Sequence, residues 1–160
     1  MTTQELQTTV TTSTTVKAPI ERAFEVFTTG MGTWWREDRH ILQAELAEMV
    51  FEPHVGGRIV DLGVDGSECV WGRVLAYEPP DRVVFSWDIT TGWTVETDPA
   101  KCSEVEVRFF AETPGRTRVE LEHRELQRHG DGWESMRDAV GSPDGWAATW
   151  ETYVPAAQAA

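Results

Sequence analysis

A chain of 160 residues can bury one sizeable core and fits one domain. A net charge of -13, with Lys17 and Lys101 as the lysines, leaves no basic stripe for a phosphate backbone or an anionic membrane surface, so neither nucleic acid nor membrane is an expected partner. Eight tryptophans within a 40% hydrophobic chain argue against disorder and for an aromatic core, an aromatic-lined pocket, or both.

Met1 to Val10 is polar and Thr-rich, without the apolar centre of a signal peptide. The first few residues are expected to fray. Val10, Thr12, Thr14 and Val16 alternate with their neighbours, the period of a half-buried strand. Pro19 suits a first helical turn, and Ile20, Ala23, Phe24 and Phe27 follow at helical spacing, which predicts a helix over Pro19–Thr28. Gly30, Gly32, Trp34 and Trp35 read as a short helix or turn that holds two indoles against the core. Arg36 to His40 reads as a charged loop.

Strands are expected over Ala47–Phe51 and Arg58–Leu62, joined through Pro53 to Gly57. Asp65-Gly66 marks a hairpin, and Cys69 to Tyr77 forms the next strand. The inward phase of that strand is open: Trp71 faces the interior, or Val70, Gly72 and Val74 do. Pro79-Pro80-Asp81 breaks it, and Val83, Phe85 and Trp87 alternate beyond. Thr90 to Lys101 is a polar connection in which Trp93 is either a lid-like contact or a simple anchor.

Val105, Val107, Phe109 and Ala111 make one face of a strand, with Glu104, Glu106 and Arg108 opposite. After a tight turn at Pro114-Gly115, the partner strand carries Val119, Leu121 and His123 on the same face. From Asp131 the pattern is helical through Trp133, Met136 and Val140. Ser142 and Pro143 then look like the cap and first residue of a new helix. Trp146, Trp150 and Tyr153 lie on one face of it, and Pro155 with the alanine-rich tail ends it. Antiparallel strands with segregated helices predict an α+β layer fold whose sheet is covered by the aromatic last helix.

At this point the chain resembles a known superfamily. Val16-Lys17-Ala18-Pro19 before the first helix, then Trp34-Trp35, Glu52-Pro53 and Gly56-Gly57-Arg58, resemble START-like (SRPBCC) proteins. Gly72-Arg73-Val74-Leu75 through Glu78-Pro79-Pro80-Asp81-Arg82-Val83-Val84-Phe85-Ser86-Trp87, with Gly145-Trp146, is similar to the branch named after the activator of the ninety-kilodalton heat-shock-protein ATPase. The resemblance runs from about Val10 to Tyr153. It implies a helix-grip fold: six or seven antiparallel strands curved around a long C-terminal helix, with an apolar cavity between them. It does not imply co-chaperone activity.

The candidate ligand-binding residues are Trp35, Trp71, Phe85, Trp87, Val107, Phe109, Leu121, His123, Trp146 and Trp150. His123, next in phase after Leu121, is the one catalytic candidate, either as a general base or as a core histidine bonded to backbone. His40, His54 and His129 show no metal-ligand spacing, and Cys69 and Cys102 form no C-x-x-C pair. No metal or cofactor is therefore expected, and both cysteines read as structural in a reduced, cytoplasmic protein. Arg108 and Asp88 are weaker polar candidates near the cavity mouth, with surface placement favoured for both.

The leading expectation is a module that binds a small hydrophobic or aromatic molecule. The alternatives are an enzyme of the cyclase, dehydratase or hydrolase type using the same cavity, and a chaperone-linked interaction module. No residue pattern indicates a protein partner, and monomer and homodimer are equally compatible with the sequence.

Overall fold

The structure is a computed structural model that describes residues 7–36 and 40–159. The expectation of a frayed start and the middle of the Arg36–His40 loop lie outside those residues. Seven antiparallel strands form one sheet in the order β1-β7-β6-β5-β4-β3-β2. They are β1 (Val10–Val16), β2 (Leu46–Phe51), β3 (Arg58–Gly63), β4 (Glu68–Glu78), β5 (Arg82–Trp87), β6 (Ser103–Thr113) and β7 (Arg116–Arg124). Three α-helices accompany them: α1 (Ile20–Phe27), α2 (Trp133–Val140) and α3 (Trp146–Ala159). This is the helix-grip α+β architecture, a curled half-barrel sheet closed by a C-terminal helix.

The β6–β7 hairpin has the register that the alternation predicts. Val105 lies opposite His123, Val107 opposite Leu121 and Phe109 opposite Val119. All six side chains are buried in the concavity. On the convex face Glu106 is also buried, because Arg82, Arg108 and Arg124 pack their guanidinium groups around its carboxylate. These arginines hold the Glu106 carboxyl below the usual carboxylate range against the opposing effect of its burial.

β4 resolves its own ambiguity by changing phase. Ile59 pairs with Gly72 and Val60 with Val70, so Trp71 is an extra residue opposite β3. Val74 pairs with Phe85 and Ala76 with Val84, so Leu75 is extra opposite β5. Each β-bulge advances the side-chain alternation by one. Cys69 and the bulge residue Trp71 therefore face inward, and Val74 faces inward after the bulge. Tyr77 reaches Phe24 beyond the second.

α3 crosses the concave face on aromatic contacts. The Tyr153 hydroxyl donates to the Ala23 carbonyl of α1 at 2.7 Å, and Phe27 and Trp34 meet the Tyr153 ring edge-on. The Trp150 indole donates to Thr12 Oγ1 of β1 at 3.1 Å. Two details differ from the sequence expectation. Pro155 lies inside α3 and does not end it. The tail continues because Ala157 is buried and Gln158 accepts the Lys17 backbone N–H at 2.9 Å, contacts that outweigh the helical bond the proline lacks. Ser142 does not cap α3 either: its hydroxyl donates back to the Ala139 carbonyl, so it finishes α2, and α3 starts at Trp146.

Candidate functional site

Five aromatic rings gather where the sheet end meets the α2–α3 corner. Trp35 stacks on Trp71 with centroids 5.1 Å apart. Trp71 meets Trp87 edge-on at 5.6 Å, and Trp87 meets Trp146 at 5.5 Å. Trp146 returns to Trp35 at 5.9 Å, and the His123 ring lies 5.2 Å from Trp87. Edge-to-face pairs of this kind add about 0.5–1.5 kcal/mol each beyond their buried area. The space between sheet and helix is thus largely occupied by side chains.

A cleft of about 190 Å³ opens above this cluster. Trp35, Trp87 and Trp146 wall it on the protein side. Trp93 and Ile89 come from the connection after β5, and Ser142, Asp144 and Thr149 from the α2–α3 corner. Trp93 stands over the mouth with its side chain 46% exposed and φ at 62°, a backbone conformation uncommon for a bulky residue. It also borders a second, wider cleft of about 560 Å³, which Ile41, Leu42, Cys69 and Val95 help to line.

Of the ten sequence candidates, Trp35, Trp87 and Trp146 line the narrower cleft, and Trp71 and His123 stand directly behind its wall. Phe85, Val107, Phe109 and Leu121 are buried in the sheet core. Trp150 lies further along α3 against Phe27 and Tyr153. Asp88 is not at the surface as expected but buried, because Arg73 clasps its carboxylate through two nitrogens at 2.9 and 3.1 Å. Arg108 is an exposed partner of Glu106.

His123 is fully buried and engaged at both nitrogens. An indole N–H can only donate, so the Trp146 bond of 3.0 Å makes His123 Nδ1 an acceptor. The neutral ring therefore carries its proton on Nε2, which lies 2.7 Å from Ser103 Oγ. The same hydroxyl is 2.7 Å from His129 Nε2. Burial, and then the neighbouring His129, push the His123 pKa down to about 3. With neither nitrogen free, this ring holds Trp146 in place. Trp87 Nε1, by contrast, is a buried N–H without a partner among the described residues.

A third polar group was not singled out by sequence. His40 Nδ1 lies 2.6 Å from Asp61 Oδ2, with both side chains nearly or wholly buried. The two residues are 21 positions apart and on no shared element, so no sequence period connects them. Ser103 and His129 escaped notice for the same reason. Burial, followed by the charge of Asp61, pushes the Cys69 thiol up; burial raises Cys102 to about 12, so both remain thiols. Among the described residues, no group of three or more His, Cys, Asp or Glu side chains could hold a metal ion.

The family model of the activator of Hsp90 ATPase homolog 1-like proteins matches residues 17–152. The chain belongs to this family. Within its START-like superfamily, one solved structure is that of an anthrahydroquino-γ-pyrone synthase, Txn09, complexed with SUM. It is 38% identical over 94% of this chain and 97% of its own, with a TM-score of 0.66. The self-sacrificing resistance protein CalC from Micromonospora echinospora is 27% identical over 94% of both chains, with a TM-score of 0.66. The Aha1 dimer from Colwellia psychrerythraea is 16% identical, covers 95% of this chain and 97% of its own, and has a TM-score of 0.62, a likeness of fold alone. A search of curated proteins found no match. Among the described residues, no helix is long and apolar enough to cross a membrane.

Proposed function

We propose that this family member binds a flat aromatic small molecule carrying a hydrogen-bond acceptor, in the cleft beneath Trp93. The observation that carries this reading is Trp87: it lines the cleft, and its buried indole N–H lacks a partner. A buried donor left unpaired costs roughly 1–3 kcal/mol, which a ligand carbonyl would recover. The surrounding indole faces and edges suit a planar ring. At about 190 Å³ the cleft is smaller than the roughly 300–1,000 Å³ typical of ligand pockets. A fused-ring ligand therefore needs Trp93 to swing aside, which joins the narrow cleft to the wider one that the same residue borders.

The test is a fluorescence titration with 2-hydroxyanthraquinone, a planar fused-ring ketone. Saturable quenching is expected. Trp87→Phe, which keeps the ring and removes the N–H, should raise Kd about five- to tenfold, the value of one neutral hydrogen bond. Absence of saturable quenching, or an unchanged Kd in Trp87→Phe, would sink the reading.

A second reading, an enzyme acting on such a ligand, draws on the 38% identity to a synthase named for a fused-ring pyrone product. It shares the same cleft and requires in addition a group able to move a proton.

A further inference from the structure

We infer that His40 and Asp61 form a proton-accepting pair just behind the wall of the wider cleft, a role that rests on the ligand reading above for its substrate. The residues are brought together by topology. Asp61 sits in β3 in phase with the inward-facing Ile59, and its register partner in β4 is Cys69. Cys69 lines the wider cleft, as do Ile41 and Leu42, which directly follow His40. The pair does not line the cleft itself but stands one residue behind its wall, next to Ile41 in sequence and opposite Cys69 in the sheet.

The chemistry follows from the donors and acceptors. A carboxylate only accepts, so the 2.6 Å bond places the proton of the neutral imidazole on His40 Nδ1. Nε2 is then the lone-pair nitrogen. Asp61 is fully buried, and its second oxygen, Oδ1, has no partner among the described residues. A buried carboxylate oxygen without a donor is costly, and so a built feature of this kind calls for an explanation. The carboxylate orients the imidazole and stabilises the imidazolium that forms when Nε2 takes a proton, and with no other donor on Oδ1 its charge is left to that task.

The step is a simple transfer. A phenolic O–H of the bound ring breaks, its proton joins Nε2, and the electron pair stays on the phenolate oxygen. Among the described residues, Cys69 is the titratable side chain that the register sets opposite Asp61, and it remains a thiol and does not compete.

Two measurements test this. Diethyl pyrocarbonate acylates unprotonated imidazole nitrogen, and peptide mass spectrometry compares its rate at His40 with that at the exposed His54. His40 is expected to react, and Asp61→Asn, which keeps the shape and removes the charge, should slow that reaction several-fold. An unreactive His40, or equal rates in Asp61→Asn, would overturn the proposal. Secondly, 2-hydroxyanthraquinone changes its visible absorption on ionisation. Its bound form should ionise about one pH unit lower in the wild type than in His40→Gln, the scale of one favourable charge interaction. Identical ionisation midpoints in the two proteins would also overturn it. If the probe fails to quench tryptophan at all, the ligand reading falls, and the acylation rates alone decide whether the pair accepts protons.

Discussion

Lowering the pH from 8 to 5 should destabilise the protein through one buried ring. His123 holds a pKa of about 3 in the folded chain, against 6.5 for the free side chain. Below pH 6.5 the unfolded chain takes up this proton first, so the stability contribution of the neutral buried ring is complete above that value. It declines as the pH falls and is lost once the pH passes the folded pKa. Linkage gives a loss of about 2 kcal/mol by pH 5 and roughly 5 kcal/mol in full, against a total stability of about 5–15 kcal/mol for a typical domain. The cause is the burial of the ring, followed by the neighbouring His129, and a proton on Nδ1 would also face the Trp146 indole N–H donor to donor across 3.0 Å. Urea unfolding at constant ionic strength measures the effect. With a slope of roughly 1–3 kcal/mol per molar for small proteins, the midpoint should fall by about 1 M between pH 8 and pH 5. His129, also depressed by burial, adds to the loss in the same window, and His129→Gln measures its share. In His123→Gln the amide oxygen can still accept the indole N–H, so the midpoint should be lower at pH 8 yet less sensitive to pH. A wild-type midpoint unchanged at pH 5, or an undiminished pH response in His123→Gln, would refute the argument.

Other expected outcomes rest on single contacts. Glu106→Ala leaves three arginines around an empty, buried site and should cost about 3–5 kcal/mol in chemical unfolding, whereas Arg108→Ala, an exposed partner, should cost under about 1 kcal/mol. Tyr153→Phe removes the 2.7 Å bond from α3 to the Ala23 carbonyl and should lower stability by about 1 kcal/mol without altering the far-ultraviolet circular dichroism. A Cβ at Gly145 would stand 2.2 Å from the Val140 carbonyl oxygen, so Gly145→Ala must displace the α2–α3 corner. It should cost about 1–3 kcal/mol and weaken quenching by 2-hydroxyanthraquinone more than Gly115→Ala, a position with open space around it.

Much of this architecture could be read directly from local pattern. The β6–β7 hairpin was legible because strict alternation admits one inward face, and the register pairs the valines, Phe109, Leu121 and His123 accordingly. β4 was illegible because a fixed period of two cannot describe a strand with bulges at Trp71 and Leu75. Pro155 misled because the penalty for proline in a helix is local, while the burial of Ala157 and the Gln158 contact that override it are tertiary. Around the clefts, Trp35, Trp87 and Trp146 stood out as aromatics in phase or on one helix face. Ser103, His129, His40 and Asp61 did not, since their partners lie about 20 or more residues away in sequence and only the folded sheet brings them together.

The strand order also fixes when the sheet can be finished. β1 is an edge strand whose neighbour is β7, with Val10 opposite His123 and Val16 opposite Thr117. On a ribosome the chain emerges from its N-terminus, and β3 to β7 can each pair with the strand made just before it. β1 has no strand to pair with until residues 117–123 have left the exit tunnel. Its contacts are thus the most non-local in the sheet, the kind that slows folding. A long, flat apolar strand kept waiting with open hydrogen-bonding edges would invite pairing with other chains. β1 waits as VTTSTTV, seven residues in which threonine and serine outnumber valine, a composition that keeps an unpaired edge hydrated until its partner arrives.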